Sequence, residues 1–227
     1  MCSSDLSAAN KPLPGDIKFR DLNKDGVISL GKSTLEDPGD RKIIGNDQPR
    51  YMFGFMAGGE WNGFFINTFF QGIGRRDFWP GTDNSLFWGA YNRPYSWHPV
   101  SVTNNMWTPE NPDAYFPRLR GYVALNSRAE LRVTQSRYLQ NVAYIRLKNI
   151  SFGYNLPQKL ITKAGLISAR IFITGQNLWT WSPMYRITRD MDPEVIEGAD
   201  PEMNVNNGNG MAYPMMKTYT VGINLTF

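Results

Sequence analysis

Cysteine and histidine are nearly missing: Cys2 and His98 are the only ones in 227 residues. A lone cysteine excludes an intrachain disulfide and any cysteine-built metal site. A lone histidine, followed by Pro99, leaves no zinc-binding pair, and the chain has neither a nucleophile elbow nor a P-loop. "GIGRRD" lacks the third glycine of a dinucleotide loop. Enzymatic chemistry therefore has no foothold. Long apolar runs are missing too, which excludes transmembrane helices but not a β-barrel, whose segments carry a far weaker hydropathy signal. Net charge +4 and a pI near 9.1 come without a basic amphipathic helix or a nucleic-acid motif, so nucleic acid is not an expected partner. No charged stretch leads into an apolar one at the start, as a secretion signal requires. Residues 1–14 are read as a non-native or linker start, because "MCSSDL" resembles a translated sequencing adapter.

Hydrophobic residues at 41% and charged residues at 19% belong to a folded chain. Aromatics reach 14% although mean hydropathy is only −0.41, so aromatic and polar residues must interleave. The last stretch, "KTYTVGINLTF", shows how. Tyr219, Val221, Ile223, Leu225 and Phe227 share one face of a strand, and Thr218, Thr220, Gly222, Asn224 and Thr226 share the other. A soluble sheet with one wet face gives this pattern, and so does a barrel strand between lipid and lumen.

Further strands follow from the same reasoning. Two aromatic-rich runs flank Asn62-Gly63, a strong hairpin signal that predicts strands at about 50–60 and 63–73. "AYIRLKNISFGYNL" is a third strand whose alternation flips near Lys148-Asn149, where a β-bulge restores one apolar face. "SARIFITGQNLWTW" is a fourth, reached through a Pro-started connection at 157–167. The long stretches 74–141 and 181–216 then fall on one side and the short connections on the other, as in barrels with short periplasmic turns and long extracellular loops. About eleven residues at roughly 3.4 Å each, tilted about 45°, climb roughly 26 Å, against an apolar band of about 25 Å. Phe227 is then expected to end in the membrane wall.

These residues also resemble a known family. "GDIKFRDLNKDG", "DRKIIGNDQPRY", "EWNGFFINTFFQG", "WTPENPDAYFPR", "RYLQNVAYIRLKNISFGYNLP", "ARIFITGQNLWTWSP" and the aromatic-ended last strand, spread over about 15–227, are similar to the C-terminal part of a SusC/RagA-type TonB-linked outer-membrane transporter. The resemblance implies an all-β fold: about five antiparallel strands with long extracellular loops, one segment of a large transmembrane barrel of about 22 strands with a plugged lumen. It implies import of oligosaccharides or peptides with a SusD-like surface lipoprotein, TonB acting through an N-terminal part, and contact with outer-membrane lipid. The last strand, with Tyr219, Val221, Ile223, Leu225 and Phe227, is implied as the signal to the barrel assembly machinery. The plug and most of the barrel are missing from this chain, and five strands cannot close around a lumen. The expected layout is an extracellular loop with a calcium-loop-like motif at 15–48, a wall hairpin at 49–73 and a long extracellular loop at 74–141. Two wall strands joined by a periplasmic turn follow at 142–180, then an extracellular loop at 181–216 and the terminal strand at 217–227.

Within the first loop, "DLNKDGVIS" matches the start of a calcium loop: Asp21, Asn23 and Asp25 as oxygen ligands, Gly26 at the turn, and the Val27 carbonyl. Lys32 stands at the twelfth position, where a bidentate Glu is needed, and Asp40 is the acid that an insertion displaces. Possible Ca²⁺ is weighed against a plain Asx-rich turn. Trp79, Trp88, Trp97 and Trp107 are candidates for stacking on sugars, weighed against packing of the loop on itself. Trp61, Trp179 and Trp181 are expected in interfacial aromatic girdles. From 111 to 148 seven Arg or Lys face only Asp113 and Glu130, a charge excess whose ordinary reading is solvation. The competing function is a soluble β-rich calcium- or glycan-binding module.

Overall fold

A computed structural model describes residues 13–82, 84–92, 95, 97–120, 130–196 and 212–227. Five long strands dominate it. β1 (Arg50–Trp61) and β2 (Phe64–Arg75) meet at Asn62-Gly63, whose φ angles of 49° and 85° suit the type I′ turn that this dipeptide favours. β3 (Tyr144–Asn155) and β4 (Ser168–Trp181) are joined through a helical turn at Gln158–Ile161 that Pro157 opens. β5 (Thr218–Thr226) follows the second long connection. The strands pair in chain order, antiparallel throughout. The two short connections therefore lie at one end of the sheet and the two long ones at the other.

The expected bulge is present. Against β2, Lys148 is the extra residue, because Phe69 pairs with Asn149 while Phe70 pairs with Leu147. A second irregularity lies in β4, which has two residues between Gln176 and Trp179 where β3 has only Lys148. There Asn177 takes φ 53° and its side-chain amide donates to the Met216 carbonyl at 3.0 Å.

The chain divides into two units. The sheet, with the segments up to Ile196 and from Ala212, is one of them. The described residues of 13–46 and 78–140 form the other, and its core is aromatic. Phe87, Trp88, Tyr91, Phe116 and Tyr138 are buried, with Leu131 and Val102 beside them. Phe87 and Trp88 meet edge to face at 4.8 Å between centroids, and Trp88 meets Tyr138 at 5.3 Å. Each polar tip has a partner: Trp88 Nε1 donates to the Gly81 carbonyl at 2.9 Å, and the Tyr91 hydroxyl donates to the Pro117 carbonyl. Burial pushes the Tyr91 and Tyr138 hydroxyls above the ordinary tyrosine range, so both stay neutral donors.

An ionic clasp ties residues 15–16 to this unit. The Gly15 carbonyl accepts the Arg118 N–H at 2.8 Å, and Asp16 pairs with Arg118 at 3.2 Å and Arg120 at 3.7 Å. Arg120 also meets Glu130 at 2.9 Å. Replacing Trp88 with Ala removes the centre of the ring cluster and is expected to cost about 3–5 kcal/mol. Hydrogen exchange at 84–92 and 114–118 in the intact protein measures this, and unchanged protection would contradict it.

Candidate functional site

The sheet has two chemically different faces, and register assigns every residue to one of them. On the first lie Phe53, Phe55, Ala57 and Trp61 of β1, then Phe64, Ile66 and Phe70 of β2. Ile145, Leu147, Ile150, Phe152 and Tyr154 of β3 continue it, and Ile171, Ile173, Trp179 and Trp181 follow on β4. Tyr219, Val221, Ile223 and Leu225 of β5 complete it. Most of these side chains stand in solvent rather than in a core: Val221 is 72% exposed and Phe152 50%, and the terminal Phe227 is 82% exposed. An apolar face five strands wide far exceeds the few hundred Å² that a soluble monomer leaves uncovered. Aromatics gather at both of its ends, Trp61, Phe64 and Tyr154 by the short connections and Trp179, Trp181 and Tyr219 by the long ones.

The second face is mainly polar, with Asn67, Gln71, Arg146, Ser151, Arg170, Thr174, Gln176, Thr220 and Asn224, although β1 and β2 also place Met52, Met56, Phe69 and Ile73 on it. One row across it alternates large and small: Phe65 pairs with Gly153, Gly153 with Phe172, and Phe172 with Gly222. A Cβ on Gly153 would lie 2.5 Å from the Phe65 ring, and one on Gly222 would lie 2.4 Å from the Phe172 ring. Each ring thus reaches over the neighbouring strand's glycine. Arg170 stacks its guanidinium 4.5 Å from the Phe65 centroid and donates to Asn155 Oδ1 at 2.6 Å.

The first loop spends its carboxylates on backbone amides. Asp21 accepts from the N–H of Lys24 at 2.6 Å and of Gly26 at 2.9 Å. Asn23 Oδ1 accepts from the Asp25 N–H, its amide donates to Asp25 Oδ2, and Asp25 Oδ1 accepts from the Val27 N–H. Asp40 spans the loop, one oxygen on the Leu22 N–H and the other on the Ser29 N–H, both at 2.7 Å. Among the described residues no three acids, histidines or cysteines converge as a metal cluster. Asp21, Asn23, Asp25, Val27 and Asp40 are thus gathered in one Asx-rich loop whose side-chain oxygens cap backbone N–H groups.

The tryptophans divide. Trp88 is fully buried in the ring cluster and offers no face to a ligand, which corrects its candidacy for sugar stacking. Trp79 is half-buried with its edge toward Trp88, and Trp107 is half-buried over Gly15. Trp97 is 58% exposed. The basic excess of 111–148 is not simply solvated either: Arg118 and Arg120 pair in the clasp, and Arg146 and Lys148 pair with Asp192 and Glu194 of the acidic run. Neither the Phe/Gly row nor this pairing was foreseen. The alternation of Phe65 and Phe172 with Gly153 and Gly222 was visible only once the register was known.

No family model matches the chain. It is 33% identical over 225 residues to TonB-dependent receptor P3 of Formosa agariphila, covering 94% of this chain and 19% of that protein. TonB-dependent receptor P26 of the same organism is 28% identical over 226 residues, covering 98% and 21%. Among solved structures, the RagAB peptide importer in its closed-closed state aligns with 82% of this chain at TM-score 0.54 and 26% identity, and the RagAB peptide transporter at 0.56 and 23%, each over 18% of that chain. The chain is a segment of a TonB-dependent receptor of the SusC/RagA type. It spans about a fifth of the length of the curated relatives it matches. The receptor is an outer-membrane protein, and its relatives are receptors and transporters rather than enzymes. Its five-stranded sheet is barrel wall.

Asp40 gives this receptor segment a pH-sensitive loop. The N–H groups of Ser29 and Leu22 hold its carboxyl below the ordinary aspartate range. A depressed value means that the ionised form is the one the fold favours, so the Asp40 bonds to Leu22 and Ser29 are intact above the ordinary value of 3.8 and are lost as pH falls below it, through the lower folded value. Amide exchange at Leu22 and Ser29 is expected to be slow at pH 6 and to rise below pH about 4 beyond the intrinsic pH trend, with Asp40→Asn fast at both. Identical exchange in the wild type and the variant would remove this role.

Proposed function

We propose that the receptor containing this chain imports oligosaccharides or peptides across the outer membrane, in partnership with a SusD-like surface lipoprotein and driven by TonB through parts outside this chain. The observation that carries the reading is the two-faced wall: an exposed apolar face rimmed by aromatics, backed by a polar one. In this reading outer-membrane lipid covers the first face and the lumen runs along the second. A soluble calcium- or glycan-binding module has no use for an exposed apolar face five strands wide. Of the four tryptophans raised for sugar stacking, Trp97 presents the most open ring, and it is the one we assign to a ligand.

Uptake of labelled oligopeptides and oligosaccharides by cells carrying the full-length gene tests the reading. Uptake of one class is expected to vanish without TonB and without the lipoprotein, and Trp97→Ala is expected to weaken it if that class is oligosaccharide. Uptake indifferent to TonB would end the import reading. The apolar row of β5 is also proposed as what the barrel assembly machinery recognises. Phe227→Ala is expected to lower the amount of heat-modifiable folded receptor several-fold, and an unchanged amount would free the row from that role.

A further inference from the structure

One cluster of charge on the polar face belongs to none of the roles above. Arg146 projects from β3 with its side chain only 3% exposed. It donates to Asp192 at 2.5 Å, to Glu194 at 2.6 Å and to the Thr180 hydroxyl of β4 at 2.7 Å. Lys148, the bulged residue, reaches the other oxygen of Glu194 at 2.8 Å. Asp192 also accepts the Glu194 N–H at 3.0 Å and the Met215 N–H at 2.9 Å, so it joins the segment leaving β4 to the one returning toward β5. Met184, Met191 and Ile196 of the same segment are buried, and Ser182 starts it with a hydroxyl that accepts the Met184 N–H.

A loop that only linked two wall strands would be free to lean away from the barrel. This one is folded back over the second face and fixed there by two cations and two carboxylates that are themselves largely shielded from solvent. A buried ion pair of this kind adds little net stability against an apolar alternative, but removing one partner is costly, so its effect is to hold one arrangement against others. The charges sum to zero, which makes the cluster unsuited to attracting a charged ligand and suited to bracing.

We infer that residues 182–196 are a fixed shelf on the lumenal wall, braced by Arg146, that narrows the import path and limits the size of what passes. The size limit rests on the import reading; the bracing does not. The test uses full-length receptor in outer membranes, with Arg146→Met, and with Glu194→Gln as a second variant that leaves the wall strands untouched. Heat-modifiable migration confirms that each variant is folded. Hydrogen exchange over 182–196 is expected to be slow in the wild type and to rise roughly 100-fold in Arg146→Met, with a smaller rise in Glu194→Gln. Uptake of oligomers of graded length is expected to extend to longer species in the variants while the shortest enter as before. Rapid exchange in the wild type, or unchanged exchange in both folded variants, overturns the shelf. Raised exchange with the same length limit overturns its part in selection. If no oligomer enters in a TonB-dependent way, the import reading falls and the size limit with it, while the exchange result still decides the bracing.

Discussion

The sheet depends on keeping five strands in phase. Side chains alternate with a period of two, so a single extra residue turns everything beyond it to the opposite face. Without the bulge at Lys148, Ile145 and Leu147 would point into the polar face and Arg146 into the apolar one. With it, Arg146 stands opposite Gln71 and Thr180, where a guanidinium finds oxygen partners. The ion cluster exists because the bulge exists, and the bulged residue itself supplies the second cation.

This constraint explains what could be read in advance. The break between Ile145-Leu147 and Ile150-Phe152 is written in the letters, so the first bulge was legible. The irregularity at Asn177 was not, because β4 carries two residues more than β2 over this stretch, and two extra residues restore the original parity. Ile171, Ile173, Trp179 and Trp181 therefore alternate as though nothing happened. The Asn62-Gly63 turn was legible for a different reason: its backbone demands positive φ at both residues, and few dipeptides meet that demand.

Long-range pairing was hidden. Arg146 and Asp192 are 46 residues apart, and Asp16 and Arg118 are 102 apart, so the basic stretch looked unpaired in isolation. Trp88 was hidden by the lack of period around it, since a tryptophan among prolines and glycines carries no sign of whether its ring faces water. The calcium-like loop shows the opposite difficulty. Its residue types are right, but an aspartate that caps backbone N–H groups and one that binds a cation are the same letter.

The Phe/Gly row adds a last step. Gly153 lies inside β3 and Gly222 inside β5, where glycine ordinarily weakens a strand by leaving nothing to pack. Here Phe65 and Phe172 lie across them, so the rings cover backbone that would otherwise meet water and stay pressed against the wall. Upright rings at these positions would project into the lumen of a barrel. Here the rings reach over the glycines near the short connections, while near the long ones Asp192 and Glu194 are held to Arg146 on the same face. The ring-on-glycine row near the short connections and the ion cluster near the long ones both follow from which residues the register places opposite each other.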